Sequence, residues 1–478
     1  MPDTKPIAPF AAGPIWSMAG VVASAQLIAA IVGSGYWFDE VYMVAIGRHH
    51  LDWGSADQPP LTPAVAALVD TLFPGSVVAL RIPAIVATAG CVVVAGLIAR
   101  ELGCDRRAQL LVAAAQATAL WTNLAGHWLT PYTLEPVEWL LLLWLLVRWI
   151  RTRDDRLLLM PGVVVGVAAM TKFQVLLLCA VMLVAVAAFG PRSLLRTPAL
   201  WAGTGLAAVI ASPTLVWQAM HGWPQLKMAP IVAQEAGPLY GGRPGIAVTL
   251  IVFAGVAMTM LLGYGVWRLL RAEELREYRF LAAAFLVLYV VFVATGGRPY
   301  YLGGGYALFA AAGALGLQRR REAGPTRWRW AAWPVYALSA VAAVAALILG
   351  AILTRSDVPE QIAAHTADVY HRLPEQQRDR TAVVGESYIV AAYLDGYAER
   401  YGLPEAFSTT RSYGYFDPPR DDQDVVLFVG SDPTRWRPYF GRVAEVGDVS
   451  GEIKAWLLTE RREPWDVLWA RLRTLSVA

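Results

Sequence analysis

The chain has 478 residues, of which 56% are hydrophobic and only 16% are charged, and its formal net charge is +3. Soluble proteins carry about a quarter of their residues as charged side chains, so this composition excludes an ordinary soluble protein and indicates an integral membrane protein. The small net charge, with arginines grouped in short loops, also excludes a basic nucleic-acid-binding surface. Three cysteines without metal-ligand spacing are interpreted as packing residues.

Apolar runs long enough to cross a bilayer recur through the first 353 residues. The first run follows Lys5 and is too long for a signal-peptide core, so we interpret it as an uncleaved membrane helix. The run between 157 and 189 is broken by Thr171-Lys172, which predicts two short helices meeting at the lysine. Eleven spans are therefore predicted, two of them within 157–189 and the others at roughly 15–36, 77–99, 108–124, 133–150, 198–218, 244–266, 279–295, 300–317 and 330–353.

Basic residues set the predicted orientation, because cytoplasmic loops carry an excess of Lys and Arg. Alternate loops contain eighteen arginines, the last group including Arg327 and Arg329, whereas the opposite loops hold five basic residues. We therefore predict a cytoplasmic N-terminus, an outer first loop at residues 37–76 and an outer C-terminal tail.

After Leu353 charged residues become frequent and Pro and Gly mark turns, which predicts a membrane domain at 1–353 and a soluble domain at 354–478. Helical and strand patterns alternate in the tail, as in a small α/β domain. We predict helices at Ile362–Leu373 and Tyr388–Tyr401, and strands at Thr381–Gly385, Val425–Gly430 and Ile453–Leu458. Glu386-Ser387-Tyr388 is interpreted as a helix N-terminus.

The first outer loop carries the densest group of polar side chains. The acidic pair Asp39-Glu40 ends the first apolar run, and carboxylates at a membrane edge mark functional sites by default. His49, His50 and Asp57 follow in the same loop, as candidates that shape a substrate site. An ordinary solvated loop is the alternative.

These residues stand in motifs that resemble a known superfamily. Phe38-Asp39-Glu40-Val41-Tyr42, His49-His50-Leu51-Asp52 and Asp57-Gln58-Pro59-Pro60 resemble the first outer loop of the GT-C superfamily of lipid-carrier-dependent glycosyltransferases. The similar group is bacterial and related to protein O-mannosyltransferases and to the enzyme that adds aminoarabinose to lipid A. Further similar segments follow in the superfamily's order at 166–173, 212–218, 221–224 and 298–301, and the tail resembles the extracytoplasmic domain of such chains.

The resemblance implies transfer of a sugar from a polyprenyl monophosphate to an acceptor hydroxyl on the outer face, with inversion at the anomeric carbon. A hydroxyl is a weak nucleophile and needs a base within hydrogen-bond reach. Asp39 matches the first-loop aspartate and is the predicted base. Glu40 is assigned to orienting the site or to holding a metal.

The leaving phosphate requires cations and hydrogen-bond donors. Lys172, Arg298, Tyr300 and Tyr301 are the candidates. The similar group carries a lysine before the proline pair, whereas this chain has Gln58, which donates a hydrogen bond but brings no charge. The phosphate-binding charge would then come from Lys172 or Arg298.

Several other candidate residues have two possible interpretations. Glu135 is a shifted substitute for an aspartate that follows Thr-Pro in the superfamily, or it is a helix-capping acid. Asp57 with His50 or His221 could bind a divalent metal, although no fixed ligand spacing supports it and the histidines could instead bind substrate or lipid. Tyr300-Tyr301 could belong to an interfacial aromatic belt. That belt is the preferred interpretation of Trp121, Trp128 and Trp217, and Arg81 is expected to snorkel to the head groups.

The predicted fold is thus an α-helical polytopic membrane protein, GT-C-like with about eleven spans, and a small extracytoplasmic α/β domain. A flippase or transporter of lipid-linked saccharide is the rival function, and an inactive scaffold is a third. The expected location is a bacterial plasma membrane. The expected partners are a polyprenyl-phosphate sugar and an acceptor that the sequence does not identify: a protein, a lipid, a wall glycan or a natural product.

Overall fold

The computed structural model describes residues 7–324, 330 and 332–477. Lys5, Arg327 and Arg329, used above for orientation, lie outside them. The α-helices of the described residues are α1 Ala12–Val32, α2 Phe38–His49, α3 Leu61–Leu72, α4 Val77–Glu101, α5 Arg106–Ala117, α6 Leu120–Ala125, α7 Pro131–Thr152, α8 Leu159–Thr171, α9 Gln174–Phe189, α10 Ser193–Arg196, α11 Pro198–Met220, α12 Pro224–Tyr240, α13 Gly242–Val252, α14 Val256–Arg271, α15 Arg279–Ala294, α16 Tyr306–Glu322, α17 Ala332–Leu353, α18 Val358–Arg372, α19 Glu375–Arg378, α20 Tyr388–Gly396, α21 Ala398–Tyr401 and α22 Trp465–Leu472.

One five-stranded sheet lies in the C-terminal part of the chain, with strand order β2-β1-β3-β5-β4. Strand β1 pairs in parallel with β2 and β3, whereas β5 pairs antiparallel with β3 and β4. The strands are β1 Thr381–Gly385, β2 Ala406–Phe407, β3 Val425–Gly430, β4 Phe440–Ser450 and β5 Ile453–Arg461.

A helix coincides with each apolar run predicted to cross the membrane. Within the described residues, 5 helices are long and apolar enough to cross a membrane, or up to 6 if a bent pair counts as one span. The long spans are Ala12–Val32, Val77–Glu101, Pro198–Met220, Glu273–Ala294 and Ala332–Arg372. The other predicted spans are shorter or more charged helices, so the number eleven stays a prediction, while an embedded, mostly helical protein is confirmed.

Two predicted spans are interrupted. The run at 108–124 is divided between α5 and α6, and the run at 244–266 is divided between α13 and α14, whose axes differ by 95°. Gly255 has a φ of +83° at the second break, a conformation that other residues rarely adopt. The break at Lys172 between α8 and α9 is confirmed.

The contacts divide the chain into two compact units. Unit 1 contains residues up to Val32, Arg81–Val216 and Val232–Ala351, and unit 2 contains Gly33–Leu80, Trp217–Ile231 and the chain from Ile352. The predicted boundary at 353/354 is close to the last division. The first outer loop falls in unit 2 with the chain from Ile352, whereas the sequence assigned it to the membrane domain, and the predicted domain bounds stay a prediction.

In unit 1 several helices approach so closely that a side chain would not fit between them. A Cβ on Gly162 of α8 would lie 2.2 Å from the carbonyl oxygen of Gly203 on α11, and a Cβ on Gly265 of α14 would lie 1.8 Å from that of Phe309 on α16. Small residues allow such contacts between membrane helices, where packing drives association. A large apolar core that includes Trp139 and Phe280 fills the space between α7, α9, α14, α15 and α16.

In unit 2 the first-loop helix α2 is packed on both sides. Gly396 of α20 leaves room for Val41 of α2, since a Cβ there would lie 2.3 Å from the Val41 Cγ2 atom. The Arg48 guanidinium donates to both oxygens of Asp70, at 2.6 and 2.8 Å, and to the Asp395 carbonyl at 2.9 Å. One arginine therefore ties α2 to the end of α3 and to α20.

Most of the helices and strands predicted for the C-terminal domain are confirmed by the structure. Strands β1 and β3 have the predicted bounds, β5 extends three residues further, and Ser387 caps α20 by accepting from the Val390 N–H at 3.4 Å. Strands β2 and β4 and helix α22 were not predicted. Strand β4 is an edge strand in which Phe440 and Val449 are the two buried residues, so it lacks the apolar alternation that identifies a half-buried strand.

Candidate functional site

Lys172 lies where α8 ends and α9 has not yet begun, with an extended backbone. Its Nζ is 3.2 Å from Glu135 Oε2, and it lies 4.9 Å from the ring centre of Tyr300 and 4.4 Å from that of Tyr301. A lysine at such a helix break needs partners, and a carboxylate and two aromatic faces supply them. Four residues predicted as site residues therefore meet in unit 1.

The loop between α15 and α16 brings the tyrosines to this lysine. Gly304 passes close to Trp139 of α7, where a Cβ would lie 2.5 Å from the Trp139 Cβ. Arg298 forms an ion pair with Glu235 and lies 5.8 Å from the ring centre of Tyr240. Its Nη1 atom is buried and has no acceptor among the described residues. Arg298 therefore keeps one buried N–H group that is able to donate to a ligand.

One face of α7 supplies the remaining groups. Tyr132, Glu135 and Glu138 are three residues apart and share that face. The Thr171 hydroxyl donates to Glu138 Oε1 at 2.6 Å. Glu135 is 5% exposed, and its Oε1 and the Glu138 Oε2 are buried without a donor in the described part of the chain. Glu138 was missed from the sequence, although its i+3 spacing from Glu135 could have identified it.

The aromatic residues around this cluster are internal, which corrects the interfacial-belt interpretation. The Trp121 ring stacks on Tyr300 at 4.5 Å between centres, and Tyr132 lies 4.9 Å from Tyr300. Trp128 is fully buried. We name Lys172, Glu135, Glu138, Thr171, Arg298, Tyr300 and Tyr301, with these rings, the lysine cluster.

Arg81 is also internal, so the expectation that it snorkels is wrong. It is 0% exposed and donates to the Ala30 carbonyl at 3.2 Å. The same region buries Gln26, whose amide oxygen is 2.8 Å from His127 Nδ1. A buried guanidinium that donates to a backbone carbonyl inside the protein does not reach the head groups, and hydropathy alone does not separate this case from snorkelling.

Asp39 and Glu40 occupy the first turn of α2 in unit 2, where the positive end of the helix dipole stabilises carboxylates. Glu40 is 0% exposed and Asp39 is half-buried. Burial, followed by the charge of Asp39, raises the pKa of Tyr393 on α20, so the aspartate and this tyrosine lie close together. The more accessible Asp39 is thus the better placed of the two to meet a solute.

Asp57 is held by a compact hydrogen-bond network. Its Oδ1 accepts from the Tyr42 hydroxyl at 2.8 Å and from the Ser412 hydroxyl at 2.5 Å, and its Oδ2 lies 3.4 Å from Gln58 Nε2. The Ser412 N–H in turn donates to Tyr42 Oη at 3.0 Å. Ser412 follows Arg411, a non-glycine residue with a φ of 51°. We name Asp57, Tyr42 and Ser412 the aspartate network.

His49 and His50 attach α2 to the C-terminal domain. His50 Nε2 is 3.1 Å from Glu405 Oε1, and its ring stacks on Phe416 at 3.9 Å. This hydrogen bond lowers the pKa of Glu405, whereas burial lowers the pKa of His49. His49 Nε2 is 3.9 Å from Asp395 Oδ1. Both histidines therefore have structural partners within unit 2.

The segment 217–231 anchors the first loop and places the last candidate, His221. Trp217 Nε1 donates to Asp52 Oδ2 at 2.7 Å, and Gln218 Nε2 donates to the Ser55 carbonyl at 3.0 Å. Trp217 is buried, so the belt interpretation is wrong for it as well. The His221 ring stacks on Trp217 at 3.9 Å.

The predicted metal ligands do not form a metal site in this structure. Asp57 is engaged by Tyr42 and Ser412, His50 by Glu405, and His221 by Trp217. Among the described residues, no group of three or more His, Cys, Asp and Glu side chains is arranged to hold an ion. The possible metal site therefore stays a prediction, and no step below uses it.

The chain resembles proteins that handle lipid-linked sugars. Residues 57–217 match the family described as dolichyl-phosphate-mannose-protein mannosyltransferase, which is about a third of the chain. A search of curated protein sequences found no match. Each solved structure below is under 25% identical to the chain, so the likeness shows the fold alone.

ArnT from Cupriavidus metallidurans in the apo state is 13% identical, with a TM-score of 0.66 over 96% of this chain and 98% of that one. ArnT bound to undecaprenyl phosphate is 14% identical, with a TM-score of 0.60 over 92% and 97%. The arabinofuranosyltransferase AftD from Mycobacteria is 15% identical, with a TM-score of 0.55 over 94% of this chain and 40% of that one. These structures share their fold with the chain, and the family match over residues 57–217 agrees with the resemblance drawn from the sequence motifs.

Proposed function

We propose that this chain is an inverting glycosyltransferase that moves a sugar from a polyprenyl monophosphate to an acceptor hydroxyl at the outer face of a bacterial plasma membrane. The lysine cluster is the observation that carries the proposal. It combines a cation, a buried donor nitrogen without an acceptor and aromatic faces at the break between two apolar helices. An anionic lipid head group with a sugar attached matches these features.

The phosphate of the donor is the group that Lys172 and Arg298 would bind. Each is balanced by a carboxylate, Glu135 for Lys172 and Glu235 for Arg298. These pairs keep the two cations neutralised when no donor is bound. As the bond between the sugar and the phosphate breaks, charge grows on the phosphate oxygens, and preorganised cations stabilise that charge.

Asp39 is the base in this proposal. It accepts the proton of the acceptor hydroxyl while the hydroxyl oxygen forms a bond with the anomeric carbon, and the bond from that carbon to the phosphate oxygen breaks. Polyprenyl phosphate leaves with the electron pair, and attack from the opposite face inverts the configuration. The half-buried position in the first turn of α2 gives Asp39 solute access and a carboxylate stabilised in its charged, proton-accepting form.

The roles of the remaining predicted residues follow their contacts. Tyr300 and Tyr301 flank Lys172 and would face the phosphate, while Asp57 and Gln58 fix the loop that follows α2. Glu40, His49 and His50 would set the position of α2. The panel of donors tested below identifies the sugar, and the acceptor is a protein, a lipid, a wall glycan or a natural product.

Transport of a lipid-linked saccharide is the second candidate function, favoured by the broken pair α13–α14. Discontinuous helices line the substrate sites of many transporters. A transporter would bind the same lipid and need no base, so Asp39 separates the two functions.

The test is transfer of radiolabelled sugar from a panel of polyprenyl-phosphate sugars by the purified full chain in nanodiscs, with and without a chelator. We expect Asp39→Asn to lower transfer by about 10²–10⁴-fold, the range that a positioned base contributes. Asp448→Asn, an exposed residue on β4, is the matched control and should retain full activity.

Transfer that is equal in Asp39→Asn and in the wild-type protein would overturn the assignment of the base. Consumption of no donor, together with movement of lipid-linked saccharide between leaflets of proteoliposomes, would overturn the transferase and establish the transporter. If the folded protein shows neither transfer nor transport, the inactive scaffold is the remaining function. Loss of activity with chelator would show that a metal takes part and contradict a metal-free mechanism.

A further inference from the structure

A cavity of about 610 Å³ lies in unit 1 where the chain leaves α9 and where it enters α15. Residues 188–192 line one part of it, and Arg276, Glu277 and Arg279 line the other. Arg276 and Glu277 belong to the 3₁₀ turn Glu273–Tyr278 that leads into α15. Because three of its lining side chains are arginines, including Arg192, we name it the arginine cavity.

The arginine cavity is separate from the lysine cluster, although both adjoin α9. Lys172 lies just before the first turn of α9, whereas the cavity lining begins at Ala188 in the last turn. The 16 residues of α9 span about 24 Å at 1.5 Å per residue. Both connections that form the cavity belong to the arginine-rich loops that the sequence predicts to be cytoplasmic. The cavity therefore lies at the opposite end of α9 from the proposed donor site.

Two arginines of the cavity are available to an anion. The carboxylates of the turn are engaged, because each forms an ion pair with an arginine: Glu273 with Arg279, Glu274 with Arg268 and Glu277 with Arg153. Arg192 and Arg276 are exposed and have no carboxylate partner among the described residues. Arg192 Nε donates to the Ala187 carbonyl at 2.8 Å, which uses one of the five N–H groups of this guanidinium.

The third arginine of the cavity has a buried donor. Arg279 Nη2 donates to Glu273 Oε1 at 2.9 Å, whereas Arg279 Nε is buried and has no acceptor in the described part of the chain. A buried polar atom without a partner requires an explanation, such as a ligand that the structure does not hold. Guanidinium groups bind phosphate oxygens with paired N–H groups, so three of them around one cavity favour a phosphate.

The surface beside the arginine cavity is apolar. Phe189 lines the cavity and is 65% exposed, and Val184, five residues earlier on α9, is exposed as well. On α15, Leu286 and Val287 are also exposed. In a membrane-embedded protein, exposed apolar side chains of this kind face acyl chains. A ligand that matches both features has a phosphate joined to hydrocarbon, which a water-soluble phosphate lacks.

We propose that the arginine cavity binds the phosphate of an anionic phospholipid, whose acyl chains lie along the exposed apolar residues of α9 and α15. Basic pockets between membrane helices on the cytoplasmic side suit such head groups. A zwitterionic phospholipid brings the same phosphate but adds an ammonium group that the arginines repel, so the site selects by net charge. The bound lipid would join the end of α9 to the start of α15 and takes no part in the proposed transfer.

The test is a lipid titration of the purified full chain in detergent, read by native mass spectrometry. The two probes are dioleoyl phosphatidylglycerol and dioleoyl phosphatidylcholine, which have the same acyl chains. We expect the wild-type chain to bind phosphatidylglycerol about 25-fold more tightly, because each of the two arginines without an acidic partner contributes a factor of about five. Equal affinity for the two lipids would overturn the proposal.

The double variant Arg192→Gln with Arg276→Gln removes these two charges from exposed positions and should reduce the preference to less than threefold. Arg196→Gln with Arg271→Gln is the matched control, since both residues are exposed, lie outside the lining and flank the same two connections. The control should keep the preference of the wild-type chain within twofold. Equal loss in the two double variants would indicate diffuse attraction to arginine-rich loops and would contradict a defined site.

A second measurement uses the wild-type chain in nanodiscs. Phosphatidylglycerol with a diazirine in its head group should label peptides that contain 188–192 and 276–279, and labelling confined to other peptides would overturn the proposal. Displacement of the label by an equal concentration of glycerol 3-phosphate would establish a water-soluble phosphate as the ligand. Displacement by undecaprenyl phosphate at equal mole fraction would make the cavity a second site for the carrier lipid. Either displacement refutes the phospholipid site, and all these readouts are independent of sugar transfer.

Discussion

The two groups of polar residues hold their carboxylates in different ways. In the lysine cluster of unit 1, carboxylates are paired with cations or with one hydroxyl, and Glu135 Oε1, Glu138 Oε2 and Arg298 Nη1 are left buried without partners among the described residues. In unit 2, Asp57 accepts from Tyr42 and Ser412, and Asp395 accepts from the Tyr413 hydroxyl at 2.5 Å and the Ala406 N–H at 2.8 Å.

This difference separates a binding region from a supporting region. Unsatisfied buried polar atoms are costly, and a native structure that keeps several of them together requires an explanation such as a missing ligand. A satisfied network of neutral donors fixes geometry and leaves little capacity for a ligand. We therefore interpret the lysine cluster as the place where substrate is bound and the aspartate network as the part that holds the first loop in shape.

The largest expected effect comes from removing the cation of the lysine cluster. Lys172→Met should lower sugar transfer by about 10³-fold, the scale of losing one group that stabilises developing charge. It should also lower the free energy of unfolding by about 3–5 kcal/mol, since it leaves Glu135 buried without its partner. Transfer assays and thermal unfolding in detergent measure the two effects.

The double variant Lys172→Met with Glu135→Gln should recover most of the stability but none of the transfer. Equal stability of the single and double variants would show that the pair is not coupled. It would also contradict the interpretation of Glu135 as the counter-ion of Lys172.

The second prediction concerns Asp395, whose pKa burial raises to about 7. The folded protein then holds this proton more tightly than the unfolded chain, so between the unfolded pKa near 4 and pH 7 stability falls as pH rises. From pH 5 to pH 8 the loss is about 3 kcal/mol, since the folded pKa lies two units above pH 5 and each unit corresponds to about 1.4 kcal/mol. Asp395→Asn carries no charge and should abolish this component, measured as the difference between the two melting profiles.

Burial lowers the pKa of His49, so this residue adds a pH dependence of its own, and only the difference between the wild-type and Asp395→Asn profiles is diagnostic. Parallel profiles over pH 5–8 would show that Asp395 is ionised throughout and that its network holds a charge. The contrast between the two regions would then disappear.

The third prediction tests the packing of α2 on the C-terminal domain. Gly396→Ala places a Cβ 2.3 Å from a methyl of Val41, and Val side chains have little rotamer freedom in a helix. We expect a loss of about 2 kcal/mol in unfolding free energy, as for overpacked cores. Gly205→Ala on α11 has nothing within 4 Å and should be neutral or slightly stabilising. Equal melting temperatures for both variants would contradict the close contact.

The smallest effect is expected for Ser412→Ala, which removes a hydroxyl that contacts Asp57 Oδ1 and Ser55 Oγ and introduces no charge. The cost should be about 1–2 kcal/mol in stability. If the aspartate network positions the first loop, the variant should lower kcat at unchanged affinity for polyprenyl phosphate. A change in lipid affinity instead would place Ser412 in the binding region.

Much of the fold could be predicted because it depends on local patterns. The length of the apolar runs predicted the membrane helices. Buried strands such as Val425–Gly430 were predicted because they are continuous apolar segments between turns. The break at Lys172 was predictable since a lysine inside an apolar run is expensive. Strand β4 was not, because an exposed edge strand is stabilised by the partner it pairs with and not by its own composition.

Most residues of the candidate site could be predicted from the sequence, but the contacts between them could not. Lys172, Arg298, Tyr300 and Tyr301 were recognised as charged or aromatic residues at a membrane boundary, and the structure brings them together. Glu138 was missed because its place in the cluster is shown by its contact with Thr171, which is 33 residues away in the sequence. Trp121 and Trp217 were misjudged, since composition cannot distinguish a tryptophan that faces lipid from one that faces a tyrosine or an aspartate inside the protein.

The grouping of residues 33–80 with the chain from Ile352 has a consequence for biosynthesis. The ribosome makes the first loop long before its packing partners Gly396, Asp395 and Ser412. At 5–20 residues per second, the intervening chain takes roughly 15–55 s to synthesise. During that time α2 lacks its contacts with α20 and Ser412, so a nascent chain that stops before the C-terminal domain keeps the first-loop contacts with segment 217–231 but not those with α20 and Ser412.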